Sequence, residues 1–148
     1  MTCLRPAVMC EPIIDVCEKD YLNTNHAKIL DIDLYTVKKE DLDFSSSYEL
    51  TFTRNDTFSG IIAWFDIVFD KLPTKVEFTT SPFGKSTHWK QVVFYAEKDI
   101  SVNRGDILKG SFAARKSNKN FRELDIKISY HLKGYYANTD FYQLYKIR

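Results

Sequence analysis

The chain has 148 residues, with 21 lysines and arginines against 20 aspartates and glutamates, for a formal net charge of +1 at pH 7. This balance leaves no global field to draw the protein onto nucleic acid or an anionic membrane, and no apolar run approaches the roughly 20 residues that a membrane-spanning helix needs. A chain of this length buries on the order of 70% of its unfolded surface, enough for one independent core. Residues 1–148 are therefore expected to form a single domain.

Residues 1–20 read as a lead-in segment. Cys3, Cys10 and Cys17 crowd into it. Their odd number rules out a disulfide framework for the whole chain, and their spacing of seven does not match the close Cys-x-x-Cys hooks of structural zinc sites. Reduced thiols, an intracellular setting and no metal site are expected. Glu18 to Leu22 and Lys38 to Leu42 have room for one helical turn each, without the length or apolar stripe of a stable helix.

The remainder reads as strand. Leu30, Ile32 and Leu34 alternate with Asp31 and Asp33, and Tyr48, Leu50 and Phe52 alternate with Glu49, Thr51 and Thr53. Ile61 to Phe69 is apolar on both faces apart from Asp66, which predicts a central strand covered on its second face. A carboxylate there must point outward or find a donor, and Arg54 is a candidate across a hairpin. The cleanest alternation sets Leu124, Ile126, Ile128, Tyr130 and Leu132 against Asp125, Lys127, Ser129 and His131. Turn residues separate these runs at Asn55-Asp56, Leu72-Pro73-Thr74, Ser81-Pro82, Asn103 to Asp106 and Ser117 to Asn120. The expected fold is all-β, an antiparallel barrel or sandwich with at most one or two single-turn helices.

Few residues offer chemistry. His26 reads as a turn residue, His131 lies on the polar phase of its strand, and no triad assembles around any histidine. Glu40, Asp41 and Asp43 form an acidic cluster, most simply a solvated loop, although such a rim would also suit a basic substrate. The aromatics, Phe52, Phe65, Phe69 and Phe78 among them, occupy the apolar phase of their strands and are expected in the core. The basic stretch Arg115, Lys116, Lys119 and Arg122 matches no RNA-recognition signature, so nucleic-acid binding is not expected. That leaves Ser86-Thr87-His88-Trp89-Lys90-Gln91, where an imidazole and an indole sit side by side in a polar loop before a strand. Such a pair either folds back onto its own core or forms the edge of a cleft or domain contact.

Thr87-His88-Trp89-Lys90-Gln91, with Ser81-Pro82 four residues ahead of it, resembles the Thr-His-Trp loop of the protein arginine N-methyltransferases. Glu11-Pro12-Ile13-Ile14-Asp15-Val16, Asp33-Leu34-Tyr35-Thr36-Val37-Lys38, Glu40-Asp41-Leu42, Arg54-Asn55-Asp56, Arg122-Glu123-Leu124-Asp125 and Tyr145-Lys146-Ile147-Arg148 resemble family segments in the same order. The resemblance spans nearly the whole chain and implies the C-terminal β-barrel domain of a type I-like enzyme. It further implies methyl transfer from S-adenosylmethionine to arginine-rich proteins, histones and RNA-binding proteins among them, in the cytoplasm and nucleus.

By the same resemblance, His88 has a supporting catalytic role through a hydrogen bond to the cofactor domain, while Trp89 and Thr87 contact substrate. The family's Gly-rich cofactor loop, its pair of guanidinium-gripping glutamates and its dimerisation arm have no counterpart in this sequence. The chain alone is thus expected to be catalytically incomplete, to bind no cofactor and to form no family homodimer, with its lead-in loose for want of the cofactor domain. The alternative is a non-enzymatic barrel or sandwich module that binds protein segments.

Overall fold

The computed structural model describes residues 10–135 and 138–148. Nine antiparallel strands form three sheets: β1 (Ile13–Asp15), β6 (Gln91–Val102) and β3 (Asp56–Ala63) in that order; β2 (Phe44–Thr51), β7 (Ile107–Lys116), β8 (Leu124–Lys133) and β9 (Asn138–Ile147) in that order; and the ribbon β4 (Asp66–Phe69) with β5 (Val76–Thr79). Both helical expectations hold as single 3-10 turns, Lys19–Tyr21 and Lys39–Leu42. The lead-in falls partly outside the described residues, Cys3 included. Within them, Ile13 to Asp15 pair with Val93 to Gln91, and the Cys10 carbonyl accepts the Lys146 N–H at 2.7 Å.

Alternation dictates the core. Ile126, Ile128, Tyr130 and Leu132 of β8 all point inward and are buried, as are Tyr48 and Phe52 of the β2 run. They meet Phe58, Phe94, Ala96 and Val102 from the first sheet. Phe94 stands edge-on to Phe112 (5.5 Å between centroids) and to Tyr145 (5.1 Å), the arrangement that aromatic quadrupoles favour. At Gly110 a Cβ would come within 1.9 Å of the Ser129 carbonyl and 2.7 Å of the Tyr48 hydroxyl, so only glycine lets β7 pass there.

The two large sheets join at a seam between β6 and β9 that side chains hold. Tyr145 donates its phenol hydrogen to the Tyr95 carbonyl at 2.9 Å and lies 3.1 Å from the Tyr130 hydroxyl. Gln143 donates to the same Tyr95 carbonyl at 3.0 Å and accepts the Glu97 N–H at 3.0 Å.

Three expectations are corrected. Leu30 to Leu34 form no strand: the alternation there ends in a turn over residues 34–36, and Leu34 is 81% exposed. Aspartates at alternate positions favour side-chain bonds to nearby backbone over a ladder, and Asp33 accepts the Tyr35 N–H at 2.9 Å. Ile61 to Phe69 is two strands, since β3 ends at Ala63 and β4 pairs instead with β5. Phe65 and Phe69 are consequently exposed rather than in the core. Asp66 accepts a hydrogen bond from Thr79 Oγ1, whereas Arg54 pairs with Asp56 at 2.9 Å and donates to the Asp20 carbonyl.

Burial pushes the Tyr145 phenol up to about 12, and Tyr48 and Tyr130 are pushed up by the same cause. The fold holds these phenols neutral while an unfolded chain ionises them near pH 10, so their contribution is complete below about pH 10 and declines as pH rises toward 12. We predict that urea-unfolding stability is lost over that window. Tyr145→Phe should cost about 1–3 kcal/mol at pH 7 by leaving the Tyr130 hydroxyl short of a partner. Unchanged stability of Tyr145→Phe would show that the seam does not depend on this phenol.

Candidate functional site

The Thr87–Trp89 loop rests on an aromatic ledge made by the β4–β5 ribbon. Trp89 stacks on Phe78 of β5 with centroids 5.5 Å apart and planes 21° apart, and meets Phe65 edge-on at 6.1 Å. His88 lies outermost, its ring 3.9 Å from that of Trp89. The indole is 49% exposed, and His88 is exposed as well. The indole packs on a ledge at the surface, against Phe78 and Phe65, and not into the main core.

Two features fix the loop where it enters β6. Thr87 accepts the Lys90 N–H at 3.2 Å, closing a turn that forces Lys90 to φ +55°, a left-handed backbone that non-glycine residues seldom adopt. Lys90 Nζ reaches Asp15 at 3.2 Å. The Val16 N–H and then Lys90 hold the Asp15 carboxyl below the usual carboxylate range.

The second feature is Gln91, only 4% exposed. Its Oε1 accepts the Cys17 N–H at 2.8 Å, and its Nε2 donates to the Thr80 carbonyl at 2.7 Å. Thr80 in turn bonds Phe65, its Oγ1 accepting the Phe65 N–H and its own N–H going to the Phe65 carbonyl, each at 3.0 Å. One buried carboxamide therefore ties the lead-in, the end of the ribbon and the ledge to the first residue of β6. Burial also pushes the Cys17 thiol up, away from thiolate reactivity.

The Thr87 hydroxyl is buried with no partner, and among the described residues no hydrogen bond or ion pair holds the His88 imidazole. Thr87, His88 and Trp89 are thus brought together, with no carboxylate in place to make His88 a base. The other candidates stay apart. His26 tilts against Trp64 at 6.0 Å, and His131 Nδ1 lies 3.0 Å from Asp140 on the solvent face of the four-stranded sheet. In the acidic cluster, Asp41 accepts the Lys38 N–H and Asp43 the Lys116 N–H, both at 2.9 Å. An open groove of about 660 Å³ on the sheet face, lined by Ser47, Lys109, Ser129 and His131 among others, shares no residue with the ledge. Gln91 closes the motif but was given no role in the sequence, because a glutamine opening a strand reads as polar surface. Phe65 and Phe78 read as core because strand phase says nothing about whether a second sheet covers that face.

Residues 1–135 match the family described as the arginine methyltransferase oligomerization subdomain. The chain belongs to this family. Protein arginine N-methyltransferase 1 of Schizosaccharomyces pombe is 47% identical over 127 residues, which are 86% of this chain and 37% of that protein. Protein arginine N-methyltransferase 8-B of Danio rerio is 38% identical over the full 148 residues, 35% of its own length. The chain thus spans little more than a third of the curated relatives it matches. Among solved structures, the Trypanosoma brucei PRMT1 enzyme-prozyme heterotetrameric complex with AdoHcy superposes with a TM-score of 0.93 at 26% identity, covering 97% of this chain and 45% of that one. Arabidopsis thaliana protein arginine methyltransferase 10 superposes with a TM-score of 0.87 at 22% identity, a likeness of fold. In this subdomain the ledge presents the unpartnered Thr87 hydroxyl and the His88 imidazole beside exposed aromatic surface.

We predict that Gln91→Leu, which strands the Cys17 N–H and the Thr80 carbonyl, lowers stability by about 2–5 kcal/mol. In a Trp64→Phe background it should also shift Trp89 fluorescence as the ledge loosens. Emission and stability both unchanged would show that the carboxamide does not set the loop.

Proposed function

We propose that this chain is the substrate-side domain of a protein arginine N-methyltransferase, which moves a methyl group from S-adenosylmethionine to an arginine guanidinium as a type I-like enzyme. The observation that carries this reading is the His88–Trp89 stack: an unpaired imidazole and a half-exposed indole, rigidly mounted on Phe78 beside the partnerless Thr87 hydroxyl. A preorganised polar and aromatic edge of this kind suits a second domain closing over it. His88 is assigned a hydrogen bond to an acidic residue of the cofactor domain. Trp89 and Thr87 are assigned the wall where the substrate arginine enters, and a protonated guanidinium gains from an indole face beside it.

The chain's own residues do not fit the cofactor. Gly110 and Gly60 serve close approach between strands, Gly105 takes a φ of +91° in a turn, Gly84 packs against Thr79 and Gly134 against Asp106, so the five glycines are scattered and do not form a nucleoside cradle. No step of methyl transfer is therefore assigned to these residues. Their task is to position substrate and to brace the domain boundary.

Calorimetry is predicted to detect no S-adenosylmethionine binding by this chain. In the full-length enzyme, His88→Ala should lower methyl transfer by tenfold or more, since stranding one partner of a desolvated charged pair costs about 2–5 kcal/mol and each 1.4 kcal/mol is tenfold. Cofactor binding by the chain, or full activity of His88→Ala, would overturn the assignment. Sedimentation should show the chain monomeric at micromolar concentration, with at most weak self-association through the exposed ledge. A tight dimer would contradict the expectation that a family homodimer needs the arm and cofactor domain.

A further inference from the structure

One end of the four-stranded sheet is basic out of proportion to a chain with net charge +1. From Arg115 to Lys127 the sequence holds five lysines and arginines against two acids, and the register places Lys116, Leu124 and Ile147 side by side, so that Lys146 and Arg148 join the same end. Three acids reach this end among the described residues: Asp125 sits 3.8 Å from Arg115 and 4.0 Å from Lys146, Asp43 is taken up by the Lys116 N–H at 2.9 Å, and Glu123 bonds Asn120, which leaves the cations in excess.

Two exposed aromatics accompany the cations. Phe121, at the β7–β8 hairpin tip, is 71% exposed, with Lys116 Nζ 5.9 Å and Arg122 Cζ 5.7 Å from its ring centroid. Tyr142, on the outward face of β9, is 63% exposed, with Lys127 Nζ 4.6 Å over its ring. The strand phase puts Tyr142, Leu144 and Lys146 outward on β9 beside Lys127 of β8. A track of about 17 Å, five residues at about 3.3 Å each, thus leads from the hairpin tip to Tyr142. Cations lie along it, with an aromatic at each end. The tip is preorganised: Ser117 donates its N–H to the Glu123 carbonyl at 2.9 Å, Glu123 donates its N–H to the Asn120 carbonyl at 3.0 Å, and the side chains of Asn120 and Glu123 bond each other at 3.1 Å.

We propose that this track binds single-stranded nucleic acid, without sequence preference. Exposed rings provide stacking faces that any base can use, and the lysines and arginines beside them match a phosphate backbone in charge. An acidic protein segment would use the charges and leave both rings idle. The inference departs from the expectation set by strand phase, because Phe121 lies in a turn and Tyr142 on the solvent face, where alternation places no aromatic in the core.

Fluorescence anisotropy of labelled oligo-uridine and oligo-thymidine 12-mers with this chain tests it. Binding should weaken about 20- to 50-fold between 50 and 200 mM salt, as three to four phosphate contacts require at about 0.7 per contact. Phe121→Ala should weaken it about fivefold or more, and Lys119→Glu with Arg122→Glu should abolish it. Three results would each overturn the proposal: no binding at 50 mM salt, equal binding of a 12-residue polyglutamate, or an unchanged affinity of Phe121→Ala. Preference for a duplex over the single strand would overturn it too, since a stacked duplex offers no free base face.

Discussion

A single phenol hydrogen, carried from Tyr145 to the Tyr95 carbonyl, lies at the seam where β6 of one large sheet meets β9 of the other. No backbone ladder joins β6 to β9 among the described residues, so the seam depends on Tyr145 and Gln143. Tyr95 therefore has two inward-reaching donors on one carbonyl, and β6 is held in register with β9 from outside its own sheet. This constraint matters for function because β6 begins at Gln91, the first residue after the Thr87–Lys90 turn. Whatever fixes β6 fixes the ledge.

From that strand outward, polar groups of low exposure set the geometry and aromatic surfaces supply the contact. Gln91 reaches both the lead-in and Thr80, and Thr80 brackets Phe65, so that Trp89 lies stacked on Phe78 with Phe65 edge-on to both. The left-handed Lys90 costs about 1–2 kcal/mol of backbone strain. The folded loop retains it, with the Asp15–Lys90 pair across the junction. Strain held in that way at the root of an exposed aromatic loop accords with a site shaped to receive something.

Much of this was legible in the sequence. Five inward side chains alternating along one run specify β8 without ambiguity, and all but Leu124, at the first position of the strand, are buried. The Thr87-His88-Trp89 loop and the family were legible from ordered motifs. What failed did so for identifiable reasons. Alternation in Leu30 to Leu34 is real, but Asp33 satisfies the Tyr35 N–H and Asp31 pairs with the Lys28 side chain, so both turn to local partners instead of a neighbouring strand. The apolar run Ile61 to Phe69 carries no mark showing that the chain leaves one sheet at Trp64 and enters another at Asp66. Its Phe65 ring then became part of the site instead of the core. The tethering role of Gln91, a residue of the motif, was not legible because the burial of a carboxamide depends on two partners 11 and 74 residues away.

In the proposed function, the His88–Trp89 ledge is the face that a second domain covers in the intact enzyme. Acrylamide quenching of Trp89 in a Trp64→Phe background measures this directly, in this chain and in the full-length protein. The account predicts ready quenching in the chain alone and strong protection in the full-length enzyme. Equal accessibility in both would contradict it.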